Sequence, residues 1–543
     1  KHAFKIAGTR SACFAGAVLA IAGLASCQLL PFLELLQWSQ RDADFGGTDW
    51  AMPATGWANF ILPLYHCFTK FFGVPAQFGQ YWTASYYSGI IVLGLASVSL
   101  VRVRDCRGLA LGGLFLLSII LALAEATFLD GFFRAVLPQA GLFRYPVKWV
   151  VVSSFALPLL AAFGLAWMEK RPRNANGLVR GGGWMFGVLL LLVWILAWEG
   201  HRYPKHSGVD LPLAANAAGR TLCLLVGAGS LMVGLVSASS KWREIARGLC
   251  ALAVVLDLKT HVPELNPTVT REIYQPGLIQ DPAHPLHAGA YRGMTTPRSE
   301  VEAQRRPAQD PVRDFLLSRK LLLSNCNLLD GPAKVDGLFS LSIRDVDRIH
   351  RQLLYRTLDV PASREPLLNF LGVRTMVEVK DGALEWRLRP DAMPWITAGQ
   401  GPRVSAAMWD VLADGAWNPR REVLFDAEVP LALGAVASSN AVVENVRWGN
   451  HEIEFTVRTS EPTLAVVAQA WYPPWRATVD EKPVRLLKGN AAFQALEVPA
   501  GTHRVRLRYE DRSFVRGCAI SASSVVALVL LAPFASRRRR DGG

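Results

Sequence analysis

The sequence predicts a polytopic α-helical membrane protein of about eight spans, with a large extracytoplasmic α/β plus β-sandwich domain before the last helix. Three observations predict it. Hydrophobic residues fill 51% of the 543 positions, and mean hydropathy is +0.22, too apolar for an ordinary soluble chain. At 19%, the charged residues still require a substantial water-facing part. Finally, apolar runs near the length of about 20 residues that a helix needs to cross a bilayer recur along the chain, with Lys and Arg clusters in alternate loops.

The apolar runs are Ala12–Leu30, Ser85–Val101, Leu109–Ala126, Trp149–Trp167, Trp184–Trp198, Leu222–Ser239 and Ser521–Phe534. A shorter one, Leu249–Leu258, reaches spanning length when extended from Ile245 to His261. Cations stand at Lys1, Lys5 and Arg10, then at Arg102, Arg104 and Arg107, then at Lys170, Arg171, Arg173 and Arg180. Further clusters are Lys241, Arg243 and Arg247, and the tail Arg537–Arg540. Eight crossings put all five clusters on one side, which the positive-inside rule makes the cytoplasm. The net charge of +14 therefore reads as topology signal and contact with anionic headgroups, and nucleic acid is not an expected partner. The chain starts at Lys1, and the run after its basic start shows no clear cleavage site, so a fragment or processed form lacking an upstream part is expected.

Four regions follow: a transmembrane bundle over 1–262, an extracytoplasmic mixed α/β region over 263–421, an extracytoplasmic β-sandwich over 422–512, and a last helix with a basic tail over 513–543. Helix-like runs occupy Pro311–Leu323, Ile343–Leu354 and Arg364–Leu371, with a strand at Arg374–Val379. Beyond position 422 the period becomes two: Ile453, Phe455 and Val457 alternate with polar residues, as do Val505, Leu507 and Tyr509. Asp480-Glu481, Gly489-Asn490 and Pro499-Ala500-Gly501 mark turns between strands. Only Cys326 falls inside the water-facing region, which excludes an internal disulfide there. His284 and His287, separated by Pro285, read as a polar loop more readily than as a metal site.

The stretch GLFRYPVKWVVVSSF places Arg144, Tyr145, Lys148 and Trp149 at the mouth of the fourth run, on the expected outer side. One reading is interfacial: Arg and Lys reach headgroups while Tyr and Trp join an aromatic belt. The other is a lipid-phosphate site, in which a helix N-terminus offers free N–H groups and Arg144, Lys148, Arg134 and Arg41 supply charge. Trp38, Tyr145 and Trp149 are the aromatics that could stack on a sugar ring. Carboxylates on the same side are Asp42, Asp44, Glu125 and Asp130, and the sequence singles out none of them as the catalytic acid or base. Asp257, in VVLDLKTH, is the one acid inside an apolar run, and a helix-end role suits it as well as a catalytic one.

The segments LPFLELLQWSQR, YYSGIIVLGLA, FRYPVKW, VVLDL and LLNFLGVRTMV resemble the YfhO family of bacterial membrane proteins. So does the block AWYPPWRATVDEKPVRLLKGNAAFQALEVPAGTHRVRLRYEDRSFVRG. Pro474 and Glu481 stand where that family usually has Gly, and Lys148 replaces a usual Arg. The resemblance implies a GT-C-like glycosyltransferase that takes sugar from a polyprenyl-phosphate donor to a cell-envelope glycan or polymer such as lipoteichoic acid. It also implies a key acid in an upstream outer loop, so Asp42 and Asp44 do not inherit that role. No cofactor is specified; a divalent metal ion is the one candidate that the displacement chemistry admits. A non-catalytic scaffold whose ectodomain binds envelope glycan is the alternative. A lipid-linked-sugar transporter fits less well, because the runs are nearly free of charge.

Overall fold

The computed structural model describes residues 2–41, 50–69, 75–124, 127, 129–136, 144–170, 177, 182–205, 213–262, 268–278, 291–305, 310–380, 383–428 and 434–540. The chain divides into two units. One comprises Lys1–Arg41, Arg271–Arg305 and Leu316–Gly543; the other comprises Asp42–Thr270 and Arg306–Phe315.

In the first unit, α1 (His2–Leu24) and α2 (Ser26–Trp38) form one apolar run broken at Ala25 and bent by 78°. The straight span expected over Ala12–Leu30 is thus a bent pair. A break in a helix frees backbone groups that need new partners in an apolar setting. Ser521 of the C-terminal helix (Arg512–Arg540) supplies them: its hydroxyl donates to the Leu24 carbonyl at 2.9 Å and accepts from the Cys27 N–H at 3.1 Å.

The second unit holds a short hairpin, β1 (Cys67–Thr69) and β2 (Pro75–Gln77), and a helical bundle. Its helices are α3 (Ile90–Arg102), α4 (Cys106–Leu123), α5 (Leu129–Val136), α6 (Val150–Glu169), α7 (Trp184–Arg202), α8 (Leu213–Val236) and α9 (Ser240–Lys259). A one-turn 3-10 segment, Pro146–Trp149, leads into α6. The core runs through Ile90, Ile91, Val98, Leu157, Leu160, Val193 and Leu224. α3 and α6 cross closely, and a Cβ on Gly164 would run into the Leu95 carbonyl, so only glycine permits this approach.

Among the described residues, five helices are long and apolar enough to cross a membrane: α4, Pro146–Glu169, α7, α8 and the C-terminal helix over Arg512–Leu531. The bent α1–α2 pair makes a sixth if counted as one span. Eight crossings are therefore more than the described helices supply. The run from Ser85 becomes helical only at Ile90, and its 13 residues reach about 20 Å, short of a hydrocarbon core of about 30 Å. α9 carries Lys241, Arg243, Glu244, Arg247, Asp257 and Lys259 within its 20 residues, too many charges for an apolar span. The long helices turn large apolar side chains outward, Val151 (68% exposed) and Trp198 (65%) among them. Such faces are what lipid-exposed helices present, and a soluble bundle of this kind would aggregate.

The rest of the first unit is rich in strands. β3 (Arg292–Thr295), β4 (Val373–Lys380) and β5 (Ala383–Leu388) form a three-stranded sheet in which β3 runs parallel to β4. Helices at Pro311–Lys320 and Glu365–Phe370, with the helical stretch from Arg344 to Leu354, lie where the apolar period predicts them. β6 (Ile396–Val404), β7 (Glu422–Phe425), β8 (Val442–Trp448), β9 (Glu452–Thr459) and β10 (Thr463–Ala470) follow. β11 (Trp475–Val479), β12 (Lys482–Val484), β13 (Leu487–Gly489), β14 (Phe493–Val498) and β15 (Gly501–Tyr509) complete the set.

Two five-stranded sheets result, in the orders β13-β14-β10-β6-β7 and β12-β11-β15-β9-β8. The first takes in β6, which lies before position 422. Phe455, Val457, Val505 and Leu507 of one sheet share a core with Ala465, Val467, Leu496 and Val498 of the other, as alternating strands packed face to face must. The β11–β12 hairpin closes through Asp480 and Glu481, whose φ values of 47° and 64° are those of a two-residue I′ loop.

Asp480 also accepts from the Arg504 N–H at 2.9 Å and pairs with His503 Nδ1 at 2.7 Å, tying the hairpin to β15. The Asp480 carboxylate holds the His503 imidazole above its ordinary value of 6.5, and the ring in turn holds Asp480 below the ordinary carboxylate range. A raised folded-state histidine stabilises fully below the unfolded value, and its contribution disappears as pH rises through the folded value. NMR titration should place the His503 midpoint above 6.5. Asp480→Asn should bring it back toward that value; an unchanged midpoint would remove Asp480 as the cause.

Candidate functional site at the head of α6

The second unit holds two polar centres among its apolar helices. The first is built on Asp257 of α9, fully buried, with Arg220 of α8 only 2% exposed. Arg220 Nη1 donates to the carboxylate at 2.9 Å, and the same guanidinium reaches the Asp257 carbonyl and the Thr260 hydroxyl. Tyr87 Oη donates to the carboxylate oxygens at 3.0 and 2.9 Å, and the Ile90 N–H does so at 2.7 Å. His261 Nδ1 donates to the Asp257 carbonyl at 3.2 Å.

Asp257 thus caps the first turn of α3 from another helix, where a carboxylate meets free N–H groups and the positive end of the dipole. Gly89, at φ 103°, turns the chain into α3 beside it. The YYSG and VVLDL segments, far apart in sequence, meet here. The carboxylate thereby joins α3, α8 and α9.

The second centre is the head of α6. Tyr145, Trp50 and Trp82 form a stack: ring centroids lie 4.3 Å apart for Trp50–Tyr145 and 5.0 Å for Trp82–Tyr145, with interplanar angles of 21° and 27°. Tyr81 closes edge-on against Trp50 at 6.0 Å. Lys148 Nζ lies 4.0 Å from the centre of the Trp82 ring and 4.9 Å from that of Tyr145, and Arg144 Cζ lies 4.7 Å from the Tyr145 ring. Ring quadrupoles of this kind attract cations and hold both charges beside the helix end.

Trp50 and Tyr145 have φ of 58° and 67°, a left-handed backbone that bulky residues adopt at a cost of about 1–2 kcal/mol each. The Val147 N–H donates to the Trp50 carbonyl at 3.4 Å and joins the two segments. Pro146, at the first helical position, needs no N–H partner. The arrangement offers flat rings, two cations and the N-terminal end of a 24-residue helical stretch.

Of the predicted site residues, Arg144, Tyr145 and Lys148 come together here. Trp149 follows them on the 3-10 turn and sets its ring edge-on to Phe133 at 6.2 Å. Trp38 and Arg41 belong to the other unit. There Trp38 stands edge-on to Trp471 at 5.5 Å. The Arg41 N–H donates to Ser39 Oγ at 3.2 Å. Asp42, Asp44 and Glu125 lie outside the described residues, as do His284 and His287. Asp130 and Arg134 lie on α5, and their side chains are likewise outside the described set. No group of three or more His, Cys, Asp or Glu converges among the described residues, so none there is assigned to a metal ion.

Trp50, Tyr81 and Trp82 read in the sequence as interface anchors that could also stack on a sugar ring; the fold alone stacks Trp50 and Trp82 on Tyr145 and sets Tyr81 against Trp50. Sequence reasoning missed the partner of Asp257. The available signal was Asp257, the one charge in the apolar stretch Leu249–Leu258 of α9, and Arg220, the one charge in α8, which begins at Leu213. Asp257→Ala would leave Arg220 as a buried charge without its carboxylate, at a cost of about 3–5 kcal/mol. Thermal unfolding of the detergent-solubilised protein should show a marked fall in midpoint, larger than for the exposed control Arg447→Ala. No family model matches the chain, and neither curated proteins nor solved structures yield a match.

Proposed function

We propose that this chain is a multi-pass protein of the bacterial cell membrane that binds a polyprenyl-phosphate sugar at the head of α6. It transfers the sugar to a cell-envelope glycan or polymer on the extracytoplasmic side, with the strand-rich region outside and the basic C-terminal tail in the cytoplasm. One observation carries the reading: Lys148 and Arg144 are gathered over the Trp82 and Tyr145 rings, with Trp50 stacked on Tyr145, at the start of a long apolar helix. Flat aromatic faces suit a pyranose ring, and cations beside a helix N-terminus suit the phosphate that links sugar to lipid. The YfhO resemblance of FRYPVKW and the other quoted segments supports the same class of chemistry.

In the transfer, the bond from the anomeric carbon to the phosphate oxygen breaks and the acceptor hydroxyl oxygen bonds to that carbon. The hydroxyl proton passes to a base, and the lipid phosphate leaves with the bonding pair. Arg144 and Lys148 stabilise the charge that grows on the leaving phosphate. Arg144 can grip two phosphate oxygens, while Lys148 acts as a point charge. A glycan-binding scaffold would make no use of this cation pair.

Mass spectrometry of lipids retained by the purified full chain tests the reading. The wild type should carry polyprenyl phosphate. Arg144→Ala/Lys148→Ala should lose about tenfold or more of it, the effect of removing a charged hydrogen bond, while Lys148→Arg keeps it. Equal retention by a folded double variant would dismiss the site and favour the scaffold.

A further inference from the structure

We propose that a second groove, at the Trp471–Arg476 turn of the strand-rich unit, binds the phosphate of an anionic lipid headgroup. The proposal rests on the C-terminal helix meeting lipid and is independent of sugar transfer at α6. The groove encloses about 560 Å³ and is walled by Trp471, Tyr472 and Trp475, with Arg476, Arg485 and Arg512 around it. Tyr472 and Trp475 are braced by Tyr509, at 6.3 and 5.6 Å between ring centres, and Trp471 Nε1 donates to the Leu486 carbonyl at 3.3 Å. The walls are therefore fixed before any ligand arrives.

Charge singles out this place. On the outer face of the same sheet three arginines pair with carboxylates: Arg504 with Glu454, Arg506 with Glu452 and Arg458 with Glu444. Among the described residues, those lining the groove do not. Arg476 Nη1 donates to the Pro473 and Trp475 carbonyls, at 2.6 and 3.1 Å, and keeps its full charge. Arg485 and Arg512 are exposed, and neither has a carboxylate partner among the described residues. The one acid in the lining, Glu510, sits 4.0 Å from Arg508. Three guanidiniums against one carboxylate in the lining leave a net positive charge that suits an anion, and the fork of Arg matches phosphate oxygens.

The position selects a lipid as the source. Arg512 is the first residue of the C-terminal helix, whose apolar stretch is only 6% buried. Phe514 and Val515, exposed, follow within one turn. Headgroup phosphates lie at this level of a spanning helix, and Trp is the residue that favours it.

Native mass spectrometry of the full chain, released from micelles supplemented with phosphatidylglycerol or phosphatidylcholine, tests the proposal. The wild type should retain phosphatidylglycerol in preference. Arg485→Gln/Arg512→Gln should lower that occupancy about tenfold, as loss of charged hydrogen bonds requires. Glu510→Gln should raise it, a gain that misfolding would not produce. Arg144→Ala/Lys148→Ala should leave it unchanged, which separates this site from the one at α6. Equal occupancy in wild type and the Arg485/Arg512 variant, or equal retention of the two lipids, overturns the proposal. Displacement of the lipid by soluble glycerol phosphate overturns the lipid source and reassigns the groove to a free phosphoanion.

Discussion

The bundle depends on one carboxylate. Asp257 is buried among apolar helices, where an unpaired charge would be far too costly, so everything around it must supply a donor. Arg220 on α8, Tyr87 and the first N–H of α3 do so together. Because α3 is short and begins at a left-handed glycine, its first turn has no local cap, and the carboxylate of α9 serves in its place. Removing Arg220 would leave the buried carboxylate without its counter-charge. The helix ends that Asp257 joins are therefore set relative to one another by electrostatics as much as by the apolar packing of Ile91, Leu95 and Leu224.

The head of α6 follows a different logic. There the charges are not buried in a closed network but gathered on ring faces, with two bulky aromatics held in a left-handed backbone. Strain of that kind persists only where the surroundings over-determine it, and it concentrates at places that work on a ligand. At Asp257 a carboxylate joins three helices, whereas at the head of α6 two cations lie against ring faces. The strand-rich unit repeats the contrast. Arg319 and Asp330 form a buried pair at 2.5 Å that also secures the carbonyls of Ile273 and Gln275, whereas Arg485 and Arg512 face water around an aromatic groove.

Much of this was legible in the residues. Period-two alternation located β9 and β15, because only one face of each strand meets the opposing sheet. The Asp480-Glu481 turn was readable from its residue types and position. Arg144 and Lys148 stood out because cations at the mouth of an apolar run demand an explanation. Other features were not legible. The break at Ala25 lies beside Gly23, a residue common inside apolar helices, and Ser521, almost five hundred residues away, satisfies the backbone there. The late start of α3 is set by Gly89 and by Asp257, of which only the glycine is local.

The sequence by itself determined the apolar helices, the alternating strands, the turn residues and the places where charge is concentrated, since each is a local pattern of side-chain chemistry. Tertiary structure alone decided how many runs are straight and long enough to cross a bilayer, which aromatics face Lys148, and which base answers Asp257. Those outcomes depend on distant side chains brought within hydrogen-bonding or stacking distance. A linear pattern shows that a charge needs a partner, and only the fold selects which one it finds.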